Sequence, residues 1–161
     1  MQSNLKAKRH PLLNDLSTEL RGFRIAETFE VVGHKYRLQL LAPSEMDWVI
    51  EKATSGANLV EMANLMSRPL IAAALLEIDN IPVAQLFQLP DDLPKEARQA
   101  LEADSKVLAE WRREQIFAYL GEDVDVEVIK ELGKHYTELE DRKRKQIGEI
   151  RNLSKGTLSR G

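Results

Sequence analysis

The side chains best suited to proton transfer or metal binding near neutral pH are three histidines, His10, His34 and His135. They fall on a polar arm, in a predicted turn and on a predicted helix. No two stand four residues apart and there is no HExxH, so no zinc site assembles from them. Cysteine is absent, which removes disulfides, thiolate metal sites and cysteine nucleophiles together and is compatible with a reducing compartment. None of the eight glycines belongs to a GxGxxG or GxxxxGKS/T loop, and the single Gly-Lys pair, Gly133-Lys134, lies inside a predicted helix with no Ser or Thr after it. The acidic groups Asp91-Asp92 and Glu122, Asp123, Asp125 offer a general acid and base or a cation cage. Both precede predicted helices, however, where carboxylates favour the positive dipole end and cap free amides. The second group also lacks the glycine and distal glutamate of an EF-hand loop. No catalytic constellation remains, so the expectation is a protein that is not an enzyme and holds no metal or cofactor.

Arg142-Lys143-Arg144-Lys145 is the one concentrated basic run. On a helix these side chains fan around nearly a full turn, so they do not form one groove-facing stripe. Neither tryptophan, Trp48 or Trp111, nor any tyrosine is interleaved with them, which leaves no stacking platform for a single strand. The formal charge of -3 conceals a polarity. Residues 1–24 carry five basic and two acidic side chains and residues 141–161 carry seven and two, leaving an acidic body at -11. Such basic ends either complement a helix dipole and keep a tail solvated, or find an acidic protein surface or nucleic acid.

The elements that position these residues are organised around Arg68–Phe87, RPLIAAALLEIDNIPVAQLF. Leu70 to Leu76 is apolar at every position, so no helical face is left for water and burial on all sides is predicted. The run is too short to cross a bilayer, which needs about 20 residues. Asp79-Asn80 supplies turn chemistry, and Pro82 bars continuation of a helix. No apolar run follows the basic N-terminus, so no secretory signal is expected.

In chain order, residues 1–10 read as a polar arm. Pro11 opens a short helix on which Leu12, Leu13, Leu16 and Leu20 fall near one face and which Gly22 stops; it either clamps onto the core or binds another protein. Alternation about Phe29, Val31, Tyr36, Leu38 and Leu40 predicts a hairpin with a type II′ turn at Gly33-His34. Ser44 is the predicted cap of a helix carrying Met46, Val49, Ile50 and Ala53, and Leu59, Met62, Ala63 and Met66 mark a second. One long helix is expected from Pro94 to Leu120, stopped by Gly121. A second follows, with seven-residue seams Ile129, Tyr136, Lys143, Ile150 and Leu132, Leu139, Gln146, Leu153. The third repeat offers Lys143 and Gln146 in place of apolar residues, so close pairing should end before it. Ile147, Ile150 and Leu153 then resume an apolar face with nothing left to cover it. With Leu12, Leu13 and Leu16 they are the candidate partner-binding residues.

The predicted fold class is therefore α+β and predominantly helical: one β-hairpin packed on short helices, followed by a long antiparallel helical hairpin. The expected divisions are 1–22, arm and short helix; 23–90, hairpin plus short-helix core; 91–153, long helical hairpin; and 154–161, flexible tail.

The pieces Phe29 to Leu41, FEVVGHKYRLQLL, and Pro69 to Val83, within RPLIAAALLEIDNIPV, resemble the tail assembly chaperones and related small tail-region proteins of tailed bacteriophages. That family often shows an extended G-x-x-Y-x-L-R-x-L element and an A-L-x-S-I-D-G-x-P-V element; this chain has Asn80 where glycine is common in the latter. The resemblance extends over about residues 25–120. It implies a non-enzymatic assembly factor that binds the tape-measure protein or another tail precursor through exposed apolar surface, forms multimers and works in the host cytoplasm. Two alternatives stay open: a structural tail or baseplate component retained in the virion, and a nucleic-acid-binding regulator using residues 141–160.

Overall fold

The computed structural model describes residues 7–13, 24–55 and 66–158, with the backbone alone at 150, 151 and 153–158. A period of two in apolar residues builds β1 (Ala26–Val31) and β2 (His34–Gln39), antiparallel in the register Phe29↔Tyr36 and Val31↔His34. The loop between them is Val32-Gly33, both at positive φ (49° and 78°), as a type I′ turn requires. It lies one residue earlier than the expected Gly33-His34, and His34 is the first residue of β2. A contact from outside the hairpin holds this register. One Asp79 oxygen accepts from the Lys35 amide at 2.8 Å and the other meets His34 Nδ1 at 2.6 Å.

Asp79 belongs to a second hairpin that alternation about Phe29–Leu40 does not reveal. The apolar run starts as α2 (Ser67–Ala74), where three successive alanines suit a helix, and at Leu75 the backbone turns extended (ψ 124°). It continues without a loop as β3 (Leu75–Ile78), then turns through Asp79-Asn80 (φ 51° and 66°) into β4 (Ile81–Pro82). The sheet is antiparallel in the order β1-β2-β3-β4, four strands where one hairpin was expected. Phe29, Tyr36, Ile78 and Ile81 form one row across it. The opposite face carries the cross-strand pairs Glu30↔Lys35 and Arg37↔Glu77, whose opposite charges suit a solvated surface.

Helix α1 (Pro43–Thr54) is capped by Ala42 rather than Ser44: the Glu45 carboxylate accepts from the Ala42 amide at 2.9 Å while pairing with Arg24 at 2.6 Å. The small helix expected over Leu59–Met66 lies almost wholly outside the described residues. After α3 (Val83–Leu86), the single helix expected from Pro94 to Leu120 is two, α4 (Lys95–Ala103) and α5 (Ser105–Glu122). Asp104 leaves helical geometry (φ -120°, ψ 101°) and accepts from the Lys106 and Val107 amides at 3.0 and 3.3 Å, because an aspartate satisfies free amides better as a cap than inside a helix. Gly121 is not a stop. It lies within α5, where the Arg68 guanidinium fills the space a side chain would need, donates to the Phe117 carbonyl at 2.8 Å and lies 3.8 Å from the Phe117 ring centre.

Helix α6 (Val126–Leu158) runs into the stretch read as a tail. Its buried residues Ile129, Leu132, Tyr136 and Leu139 are those of the predicted seam, each worth about 1.5–3 kcal/mol of transfer free energy. The seam's partner differs from expectation. Helix α2 lies against both α5 and α6, α6 also covers β1 and β2, and direct contact between α5 and α6 is slight. Glu27–Arg142 and the Phe29–His135 stack, with ring centres 4.5 Å apart, join β1 to α6. One core thus joins Leu38 and Ile71 to Ile116, Leu132 and Leu139, in an α+β, mostly helical fold.

Candidate partner-binding surface

The end of β2 and the start of α1 meet α6 just past its buried seam. Leu40 and Leu41 are adjacent leucines where alternation ends, so they face different neighbours. The Leu41 amide donates to the Tyr136 hydroxyl at 3.0 Å, and burial is the main cause of the raised Tyr136 pKa. One turn further, Glu140, Lys143, Arg144 and Ile147 join Leu40, Leu41, Met46 and Tyr136 around a recess of ≈ 250 Å³.

The four-residue basic run is not uniform in this setting. Arg142 pairs with Glu27 and Arg144 with Asp141 at 3.3 Å. Lys145 is exposed. Lys143 is half-buried in the recess wall, and among the described residues no carboxylate pairs with it.

Of the candidate partner-binding residues, Ile147 is placed on this recess, half-buried against strand-end leucines. Leu12 and Leu13 are 56% and 47% exposed on a single helical turn, where the Leu12 amide donates to His10 Nδ1 at 3.1 Å and the Leu13 amide to the His10 carbonyl at 2.9 Å. Leu16 lies outside the described residues, as do the side chains of Ile150 and Leu153, whose backbone is part of α6. Leu40, Leu41 and Met46 were not singled out as partner-binding. Their signal was the doubled leucine that breaks strand alternation next to a helix start.

The histidines have structural settings. His34 and Asp79 tie the two turns at one end of the sheet, and the Lys35 amide first, then His34, hold the Asp79 carboxyl below the usual range. His135 lies on Phe29 with Glu138 at 3.3 Å and Glu131 at 3.9 Å. Among the described residues no group of three His, Asp or Glu could hold a metal ion, and no helix is long and apolar enough to cross a membrane. Comparison with protein families, curated proteins and solved structures finds no match to this chain.

Proposed function

We propose that this protein is a non-enzymatic assembly chaperone of a tailed bacteriophage, which binds a tail precursor such as the tape-measure protein and shields its helical segments before polymerisation. The observation that carries the reading is the length of α6. Leu139 is the last fully buried seam residue among those whose side chains are described, and from it the α6 backbone runs on for about 28 Å at 1.5 Å per residue, with Ile147 in a recess open to solvent. A helix that continues this far past its last described buried residue suits a binding protein. The resemblance of Phe29–Leu41 and Pro69–Val83 to the phage proteins supplies the class of partner. Co-expression with the adjacent large tail protein, followed by size-exclusion chromatography with light scattering, tests it: a complex or a gain in that protein's solubility is expected. A strict monomer that leaves its solubility unchanged would sink the reading.

The basic ends favour a second reading, a tail or baseplate component whose extensions order on acidic neighbours. Mass spectrometry of purified particles separates the two, since a retained component is present stoichiometrically and a chaperone is absent. A regulator that binds nucleic acid through residues 141–160 is opposed by the acidic body, which repels phosphate at long range.

A further inference from the structure

Another recess, of ≈ 150 Å³, opens where α5 packs on α2, because Ala72, Ala73 and Ala109 have side chains too small to fill the space between the two helices. Leu75, Val83 and Ile116 add apolar surface, and Arg112 and Arg113 line the space together with Glu45. The charges there do not cancel. The Glu45 carboxylate is already held by Arg24 at 2.6 Å and by the Ala42 amide at 2.9 Å. Both arginines are half-buried, and among the described residues neither has a carboxylate partner. Arg112 uses only its Nε, donating to the Phe87 carbonyl at 3.4 Å, and the Arg113 guanidinium lies 5.1 Å from the Trp48 ring centre. Glu114, next in the chain, is taken by Lys52 at 2.8 Å and by the Trp48 indole at 3.2 Å, while Glu110 is exposed and not part of the lining. Two adjacent guanidinia, partly removed from water and lining one small space, gain from an oxyanion that enters it.

We infer that this recess binds a dianionic oxyanion of phosphate size, the free ion or the terminal phosphate of a small molecule, on the guanidinia of Arg112 and Arg113. Charge selects the class, because two unmatched cations balance a phosphate group that carries about -1.5 to -2 at pH 7. A carboxylate would leave one guanidinium unmatched. Size excludes larger occupants, since the space falls below the roughly 300–1,000 Å³ of pockets that enclose a whole small molecule. Only the phosphate group enters. A nucleic-acid strand fits less well, because each diester carries a single charge and an extended polyanion also meets the acidic body. At physiological salt that body is screened beyond about 8 Å, so a single ion responds to the two arginines. The inference is independent of the chaperone reading.

The test uses the full chain, isotope-labelled, at a constant ionic strength of about 150 mM and about pH 7.5, where phosphate is largely dianionic. The probes are inorganic phosphate, methyl phosphate, acetate and dimethyl phosphate. Inorganic phosphate is expected to shift the methyl resonances of Ala72, Ala73 and Ala109 and the Trp48 indole proton to saturation. Acetate and dimethyl phosphate, with one charge each, should bind about tenfold more weakly or not at all. Binding of methyl phosphate as well assigns the recess to a terminal phosphate group, and its exclusion assigns it to the free ion. Arg112→Gln and Arg113→Gln should each weaken phosphate about tenfold, whereas Lys145→Gln, exposed on α6, should leave binding unchanged. Ala109→Glu supplies the missing carboxylate from an exposed position three and four residues before the arginines. It should abolish phosphate binding in a protein whose circular dichroism and thermal midpoint show the native fold. Absence of a saturable shift, equal binding of acetate, shifts confined to other residues, or indifference to all three recess variants overturns the assignment. A single-stranded oligonucleotide that binds these residues more tightly than methyl phosphate overturns it as well and gives the arginines to nucleic acid.

Discussion

Tyr136 connects the sheet to α6 through one hydroxyl. Its oxygen is the acceptor for the Leu41 amide, so Tyr136→Phe keeps the ring and leaves that amide without its partner. A loss of about 1–2 kcal/mol in urea unfolding is expected. A neutral result would mean that water replaces the hydroxyl. At the other end of the sheet, Asp79 contributes through its charge. Because its pKa is lowered on folding, the stabilisation is complete above the ordinary carboxylate value of about 3.9 and is lost as pH falls through the lower native value. Asp79→Asn retains a residue that tolerates positive φ, so it tests the charge more than the turn. Its thermal midpoint should lie below that of the native protein at pH 6, with the gap closing as the pH is taken below about 4. A gap independent of pH would assign the effect to geometry.

At the scale of elements, two positions show local preference giving way to context. Val32 is a β-branched residue at φ 49° in a type I′ turn, 79% exposed, so its side chain offers little in return for the strain. Val32→Asn should stabilise the hairpin by roughly 1 kcal/mol in equilibrium unfolding. A loss would show that the valine makes a contact worth more than the strain. Gly121 poses the opposite case, a glycine inside α5 that leaves room for Arg68. Alanine at this position adds helix propensity of about 1 kcal/mol but displaces the guanidinium from Phe117. Gly121→Ala should therefore stabilise an Arg68→Ala protein and give little or no gain in the native background. Additive values in the double-mutant cycle would show that Arg68 does not occupy this seat.

For the whole molecule, the decisive feature is that α2 is central. With α5 and α6 both packed on it, the α6 seam is fully buried through Leu139, and of the described side chains beyond it Lys143 and Ile147 are half-buried and Gln146 is exposed. Ile150→Asp should accordingly leave the thermal midpoint of the isolated protein almost unchanged and weaken self-association or capture of a tail precursor, read by light scattering and co-purification. Destabilisation by more than about 2 kcal/mol would mark a core defect and place this part of α6 within the fold.

Much of this arrangement is legible in the residues themselves. Alternation about Phe29, Val31, Tyr36 and Leu38 specifies the first hairpin, and the spacing of Ile129, Leu132, Tyr136 and Leu139 specifies which side of α6 is buried. Ile147 was identifiable as apolar beyond a polar break in the seam. Tertiary structure decided the rest. A short apolar run such as Leu70–Leu76 satisfies a buried helix and a buried strand equally, so only the free edge of β2 could draw Leu75–Ile78 into the sheet. A heptad seam reveals a face without naming what covers it, which is why α2 and the sheet, rather than α5, cover the α6 seam. The recess depends on the same kind of information: Leu40, Met46 and Lys143 are far apart in the chain, and only packing α6 across the end of β2 brings Glu140 and Lys143 beside aliphatic surface.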